Sequence, residues 1–271
     1  MGGSLGLALR TLGGGIRVTG HDRDPGTTRR ALDRGAIDAG APSPREAVAE
    51  AECVFTAVPP RAALDLVPAL LPLLPADAVL ADLSSVMTPL RERLAAVPAG
   101  AGRFVASHPI CGSERDGIEA AREDLYRGRR ILVGAPLEPG GAAGRVAGVW
   151  KALGADPRPI DPVEHDALLA LTSHLPLLAS AGLARALRAS GRAAADLATA
   201  AGPGLRDTSR LAASEPGLWE EILALNAGRI APALGNLERE IAALRRALEG
   251  EPSRLRELLA EARAFRREIV E

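Results

Sequence analysis

Between residues 16 and 160, short apolar runs alternate with longer stretches whose apolar positions recur at helical spacing. Ile16-Arg17-Val18-Thr19-Gly20 predicts a short strand, followed by a helix from Thr27 to Arg34. Glu52 to Val58, Ala78 to Asp82 and Phe104 to Ser107 read as buried strands, with helices over Ala62 to Leu71 and Thr88 to Ala96 between them. A helix is expected to begin near Asp116. Ile131-Leu132-Val133 reads as a hairpin or edge strand, leading into a helix from Gly144 to Leu153 and a last strand near Arg158-Pro159-Ile160. Strands alternating with helices of this length predict an α/β region built on a parallel, doubly wound sheet.

Beyond Pro162 the strand pattern stops and long helical patterns run to the end. A helix from Glu164 to Arg188 carries Ser173-His174-Leu175-Pro176 in its middle, and the proline removes a backbone bond and should kink it. Ile230, Leu234, Leu237, Ile241, Leu244 and Leu248 form a helical seam that can pack within one chain or against a second copy. The expected organisation is an α/β domain over 1–160 and an all-α domain over 161–271.

In a doubly wound sheet, ligands bind beyond the carboxyl ends of the strands. Asp22, Val58-Pro59, Ser84-Ser85 and His108 all fall at such ends. The loop from Ser107 to Glu114 gathers an imidazole, a proline, a glycine and polar side chains, so it is the first candidate for chemistry. The opening Met1 to Arg10 reads as a helix with small residues at its N-terminus. With Asp22 roughly 20 residues after Gly2, it matches the second half of a Rossmann-like dinucleotide-binding unit. There the helix N-terminus receives a pyrophosphate and the acid takes ribose hydroxyls. A first strand and the first two glycines of the fingerprint are absent. The natural chain is therefore expected to begin upstream of the printed Met1.

Composition narrows the classes. Lys and Arg number 33 against 34 Asp and Glu, a net charge of -1, so no global field calls for nucleic acid or an anionic membrane. Aromatic residues are 2% of the chain, too few for base-stacking platforms. No apolar run is expected to reach the roughly 20 residues of a membrane span. Cys53 and Cys111 fit no metal spacing, no metal site is expected, and a reducing cytoplasm is the default.

Taken together, Gly2-Gly3-Ser4-Leu5, Gly20-His21-Asp22-Arg23-Asp24, Asp82-Leu83-Ser84-Ser85-Val86 and His108-Pro109-Ile110-Cys111-Gly112-Ser113-Glu114 resemble the prephenate and arogenate dehydrogenases of tyrosine biosynthesis. Glu164-His165-Asp166, Ser173-His174-Leu175-Pro176, Arg206-Asp207-Thr208-Ser209-Arg210 and Leu218-Trp219 continue the likeness over nearly the whole chain. The resemblance implies a nucleotide-binding domain joined to a helical domain that forms a homodimer. It implies hydride transfer from the hydroxyl-bearing ring carbon of a cyclohexadiene to NAD, with loss of carbon dioxide. His108 then accepts the hydroxyl proton, and Ser85 sits beside it and the nicotinamide. Arg210 holds a substrate carboxylate. Ser113 and Glu114 line and gate the pocket, with His174, Arg206, Asp207 and Trp219 on the substrate side. Gly2, Ser4, Leu5, Asp22, Arg23, Val58, Pro59 and Ser84 face the cofactor. Asp22 favours NAD, while Arg23 leaves room for NADP.

Other readings remain beside these. His165-Asp166 at a helix start reads as a cap, Trp219 as core or gate, and Cys111 as a thiol without a catalytic part. Leu177 and Met87 stand where the family commonly has a histidine and a lysine, which leaves the choice between prephenate and arogenate open. A truncated relative that folds and dimerises without binding a dinucleotide is the alternative function. A different β-hydroxyacid substrate is disfavoured, because no lysine follows Lys151. The length leaves no room for a mutase or regulatory domain, so feedback through an appended domain is not expected.

Overall fold

A computed structural model describes residues 1–96, 101–111 and 117–270. The α/β region runs α1 (Gly2–Thr11), β1 (Thr19–Gly20), α2 (Pro25–Asp33), β2 (Ala39–Gly40), α3 (Pro44–Val48), β3 (Cys53–Thr56), α4 (Pro60–Leu70), β4 (Val79–Asp82), α5 (Thr88–Ala95), β5 (Phe104–Pro109), β6 (Arg130–Val133), α6 (Ala142–Ala152) and β7 (Asp156–Pro159). The strands form a five-stranded sheet in the order β3-β4-β5-β6-β7 and a separate parallel pair, β1 with β2.

Pairing is parallel throughout except between β5 and β6, where Ser107, His108 and Pro109 face Val133, Leu132 and Ile131 in antiparallel register. The sheet is therefore mixed. The run at Ile131 to Val133 lies between two neighbours, and β7 takes the edge instead. Among the described residues no strand links β1 to β3, which matches the absence of a first strand in the sequence. The helix expected from Asp116 is, where described, a 3-10 turn at Ile118–Ala120.

Burial on both faces explains the apolar strand runs, because successive side chains point to opposite sides. On β4, Val79 and Ala81 join a cluster with Leu5, Val105, Ile131, Val133, Val146 and Trp150, beneath α1 and α6. Leu80 points the other way, into Val48, Val67, Leu71, Leu90 and Leu94 of the opposite helices. Trp150 is fully buried, and its indole N–H donates to Ser107 Oγ at 2.8 Å, anchoring β5 from below. Helix α1 crosses between the two sheets, with Leu5 and Ala8 in the main core and Leu7 against Ala36 and Ile118. Gly6 permits this approach, since a Cβ there would lie 2.0 Å from the Ala36 carbonyl oxygen.

The helical region comprises α7 (Pro162–Leu169), α8 (Leu175–Ala189), α9 (Ala194–Thr199), α10 (Pro203–Ser209), α11 (Pro216–Leu225), α12 (Ala227–Gly250) and α13 (Pro252–Val270). Between α7 and α8 the chain makes a π-helical turn at Ala170–His174. Pro176 has no N–H to give, and the wide turn accommodates it, with Leu175 N–H bonding back to Ala170. The stretch Pro162–Ala189 is, by length and composition alone, apolar enough to cross a membrane, contrary to the expectation that no apolar run reaches that length. Within it His174 and Ser180 are buried and hydrogen-bonded to Asn226 and to the backbone of Ala212.

Candidate active site

His108 lies on β5 one residue from its carboxyl end, half-buried, with Ser107 and Pro109 buried on either side. Its Nδ1 stands 2.9 Å from Nε2 of His165, and the two rings meet edge to face at 5.1 Å. His165 Nδ1 lies 2.7 Å from Asp166 Oδ1. Both His165 and Asp166 are fully buried on α7, so His108 of the α/β region is wired to the helical region through them.

The expected capping role for His165-Asp166 is replaced by this arrangement. Asp161 caps α7 instead, accepting from Val163 and Glu164 N–H. The spacing is the reason: Asp161 precedes a proline at the first helical position, while residues one turn on face inward. No periodicity signal marks the pair, because one histidine and one acid look like a solvated helix start until a partner sheet covers them.

Asp166 also reaches across the boundary, accepting Met87 N–H at 2.9 Å and Thr88 N–H at 2.8 Å at the start of α5. Burial pushes its carboxyl up, but bonds from His165, Thr88 and Met87 outweigh this and hold it below the usual range. Its backbone carbonyl accepts from the Asn226 amide at 2.8 Å, and the same amide nitrogen lies 3.2 Å from His174 Nδ1. The π-turn aims His174 at this point, and Trp219 of α11 stands edge-on to its ring at 6.0 Å. Trp219 is half-buried, so it forms a wall here without being core.

Burial, with His165 and His174 close by, pushes His108 down to about 3, against the pull of Asp166. His174 is likewise pushed by burial down to about 4. Both imidazoles are therefore neutral at physiological pH, each with a nitrogen able to accept a proton. Cys111 packs against the main core, and burial raises its thiol to about 11, so it stays protonated and is no nucleophile.

On the cofactor side, Asp82 ends β4 as a buried carboxyl that burial pushes up, accepting from Thr56 Oγ1 and Ser84 N–H. Ser84 Oγ is buried beside the Asp82 carboxyl, which its hydroxyl helps to hold down against the effect of burial. Ser85, half-buried, follows in the same loop. Helix α1 starts with no acid in its first turn and no side-chain cap, so its leading N–H groups offer an anion site. Gly2 there faces Ala57 beyond β3; a Cβ would sit 3.3 Å from Ala57 Cβ. Ser4 and Leu5 point away: Ser4 Oγ accepts Arg122 N–H, and the Leu5 side chain is in the core. Their side chains are thus engaged in structural contacts, and it is their backbone that lies at the N-terminus of α1.

Asp22 and Arg23 are exposed after β1, with Asp22 Oδ1 accepting Asp24 N–H. Pro59 starts α4 at the end of β3, and Val58 packs into the second core cluster. Arg206, Asp207 and Arg210 are exposed on α10 and the turn after it, unpaired among the described residues. Nothing in their contacts brings them to His108. Ser113 and Glu114 lie outside the described residues.

A split α/β nucleotide-type domain, a histidine near the carboxyl end of one of its strands and a helical region bonded to that histidine define a two-domain dehydrogenase. Residues 5–156 match the family described as prephenate dehydrogenase, nucleotide-binding domain, and residues 161–261 match prephenate dehydrogenase, dimerization domain. The chain belongs to the prephenate dehydrogenase family. It is 30% identical over 207 residues to a cyclohexadienyl dehydrogenase of Zymomonas mobilis, covering 75% of this chain and 70% of that one. It superposes on a prephenate dehydrogenase of Aquifex aeolicus in complex with hydroxyphenyl propionate and NAD+ with a TM-score of 0.84, at 28% identity over 98% of this chain and 94% of that one. It also superposes on Synechocystis arogenate dehydrogenase with a TM-score of 0.76, at 25% identity over 99% of this chain and 96% of that one. These likenesses give no support to the degenerate reading.

Proposed function

We propose that this protein oxidises prephenate, with arogenate as the competing substrate, using NAD, and releases carbon dioxide as the ring becomes aromatic. The observation that carries the reading is His108, neutral and placed at the carboxyl end of β5 beside the Ser84-Ser85 loop at the end of β4. The domains proposed for this work are 1–160 and 161–271, in a cytoplasmic homodimer.

NAD, when bound, supplies the hydride acceptor. Gly2 and the N-terminus of α1 would receive its pyrophosphate, Asp22 its ribose hydroxyls, and Ser84 a polar group deeper in. Ser85 aligns the reacting hydroxyl with His108. The His108 imidazole takes the hydroxyl proton as the carbon–oxygen bond gains double-bond character. A developing protonated carbonyl is a strong acid, so an acceptor of low basicity suffices. What His108 needs is to be unprotonated throughout the working pH range, and its surroundings secure that. Arg210 holds a substrate carboxylate in a two-bond grip, while His174 and Trp219 shape the side of the pocket on α8 and α11.

The test is NADH formation at 340 nm with prephenate and with arogenate. His108→Asn should lower kcat about 10²- to 10⁴-fold, the usual worth of a general base, with KM little changed. Unaltered turnover in that variant rejects the reading.

A further inference from the structure

We infer that His165 and Asp166 are positioning residues that hold His108 in the one tautomer able to receive a proton at Nε2. The inference rests on His108 being the acceptor of the hydroxyl proton and adds what makes that nitrogen available. A neutral imidazole has one donor and one acceptor nitrogen, and the ring itself does not choose between them.

The hydrogen-bond chain makes the choice. Asp166, held ionised by its bonds, only accepts, so the proton between it and His165 lies on His165 Nδ1. An uncharged imidazole with its proton on Nδ1 has a bare Nε2, and that nitrogen of His165 stands 2.9 Å from His108 Nδ1. Two bare nitrogens at that distance would set lone pair against lone pair. His108 Nδ1 therefore carries the proton and donates, leaving Nε2 as the acceptor. The edge-to-face packing of the rings, 71° apart, fixes the plane in which that lone pair points. Substrate oxidation delivers a proton to Nε2 and creates a cation. Its Nδ1–H bond runs through His165 to the carboxylate, which stabilises the charge. Of the charged or titratable groups facing His108, Asp166 favours that cation while His165 and His174 oppose it.

The same two side chains also clamp the domains together, so loss of activity alone would not separate positioning from scaffolding. Nitrogen-15 NMR of the imidazoles in the unaltered protein does. His108 should be protonated at Nδ1 near neutral pH; protonation at Nε2 overturns the inference. In His165→Asn the amide nitrogen stands where Nδ1 stands, keeping the Asp166 bond and losing the one to His108. This variant should lose about 10- to 100-fold in kcat, the range seen when a supporting partner is removed, with KM within about twofold. In a His108→Asn background the same change should cost nothing further. An equal loss in both backgrounds, or none in the first, overturns the positioning role while leaving His108 as acceptor. Should His108→Asn itself keep full turnover, the underlying reading falls instead. If His165→Asn does not fold, the tautomer measured on the unaltered chain decides alone.

Discussion

The Asp166 carboxylate caps a helix of the other domain: its two oxygens receive the N–H groups of Met87 and Thr88, at 2.9 and 2.8 Å, where α5 begins. Thr88 Oγ1 returns a bond to the Pro162 carbonyl at 3.2 Å. A negative charge at a helix N-terminus is favourable, and buried there it also satisfies donors that water cannot reach. Asp166→Ala leaves two backbone N–H groups and one imidazole N–H unpaired in the core. Breaking such a buried cluster costs about 3–5 kcal/mol, corresponding to a fall of roughly 5–9 °C in Tm for a chain of this size. Calorimetry on the variant checks this, and a Tm within about 1 °C of the parent would show that the clamp is not stabilising.

Acid should loosen the same junction. In the unfolded chain His108 and His174 take up protons near their usual value of 6.5, but the folded protein resists until about 3 and about 4. Between those limits the unfolded state binds more protons, so stability is full above 6.5 and is lost as pH falls below it. Each histidine contributes a slope of up to about 1.4 kcal/mol per pH unit. Asp166, held low, adds in the same direction at lower pH, while Asp82, raised by burial, acts oppositely. The urea midpoint should drop between about pH 7.5 and pH 5, and His174→Gln should flatten that slope whatever it does to absolute stability. An unchanged slope in the variant would refute the assignment of the buried neutral imidazole.

Much of the fold is legible in the amino-acid sequence. Apolar runs of four to seven residues located β3, β4 and β5 because each is covered on both faces, and the strand ends then collected Ser84, Ser85 and His108. For β6 the sequence left a hairpin and an edge strand open: its pairing with β5 is antiparallel, as in a hairpin, but it lies inside the sheet, because an apolar run alone does not say how many neighbours a strand has. Nor was the role of His165 and Asp166: a polar pair becomes a buried relay only when another domain supplies His108, Met87 and Thr88. The side-chain directions of Ser4 and Leu5 were not legible either. Their motif position suggested a ligand, whereas the helix phase turns one hydroxyl to Arg122 and one side chain to the core.

Cofactor choice should be governed at the end of β1. Asp22 is exposed, and one of its oxygens is engaged by Asp24 N–H, which fixes the carboxylate just beyond the strand. A 2′-phosphate placed there would meet a negative charge, while a ribose diol meets an acceptor. Asp22→Ser removes the repulsion and leaves Arg23 to attract phosphate. The ratio of kcat/KM for NAD over NADP should fall by about 10- to 100-fold, the scale of one charged contact. If the ratio stays constant, Asp22 does not face the ribose.

The far helices point to the second copy. Helix α13 buries none of its residues, although Leu259, Phe265 and Ile269 are exposed at 56%, 61% and 64%. On α12, Ile241 and Leu248 of the predicted seam are likewise exposed, at 57% and 71%. One chain alone leaves this apolar surface in water, a condition that an isologous dimer relieves by covering each patch with its own copy. In such an interface a substitution counts twice. Burying one leucine is worth about 1.5–3 kcal/mol, so Leu248→Glu should weaken the dimer by about 3–6 kcal/mol, or roughly 10²- to 10⁴-fold in Kd. Because the side chain is exposed in the single chain, unfolding of the monomer should be unaffected. Sedimentation equilibrium reads the first quantity and urea titration of the dilute variant the second. An unchanged Kd would place the dimer contact elsewhere, and a destabilised monomer would mean that Leu248 packs within its own chain.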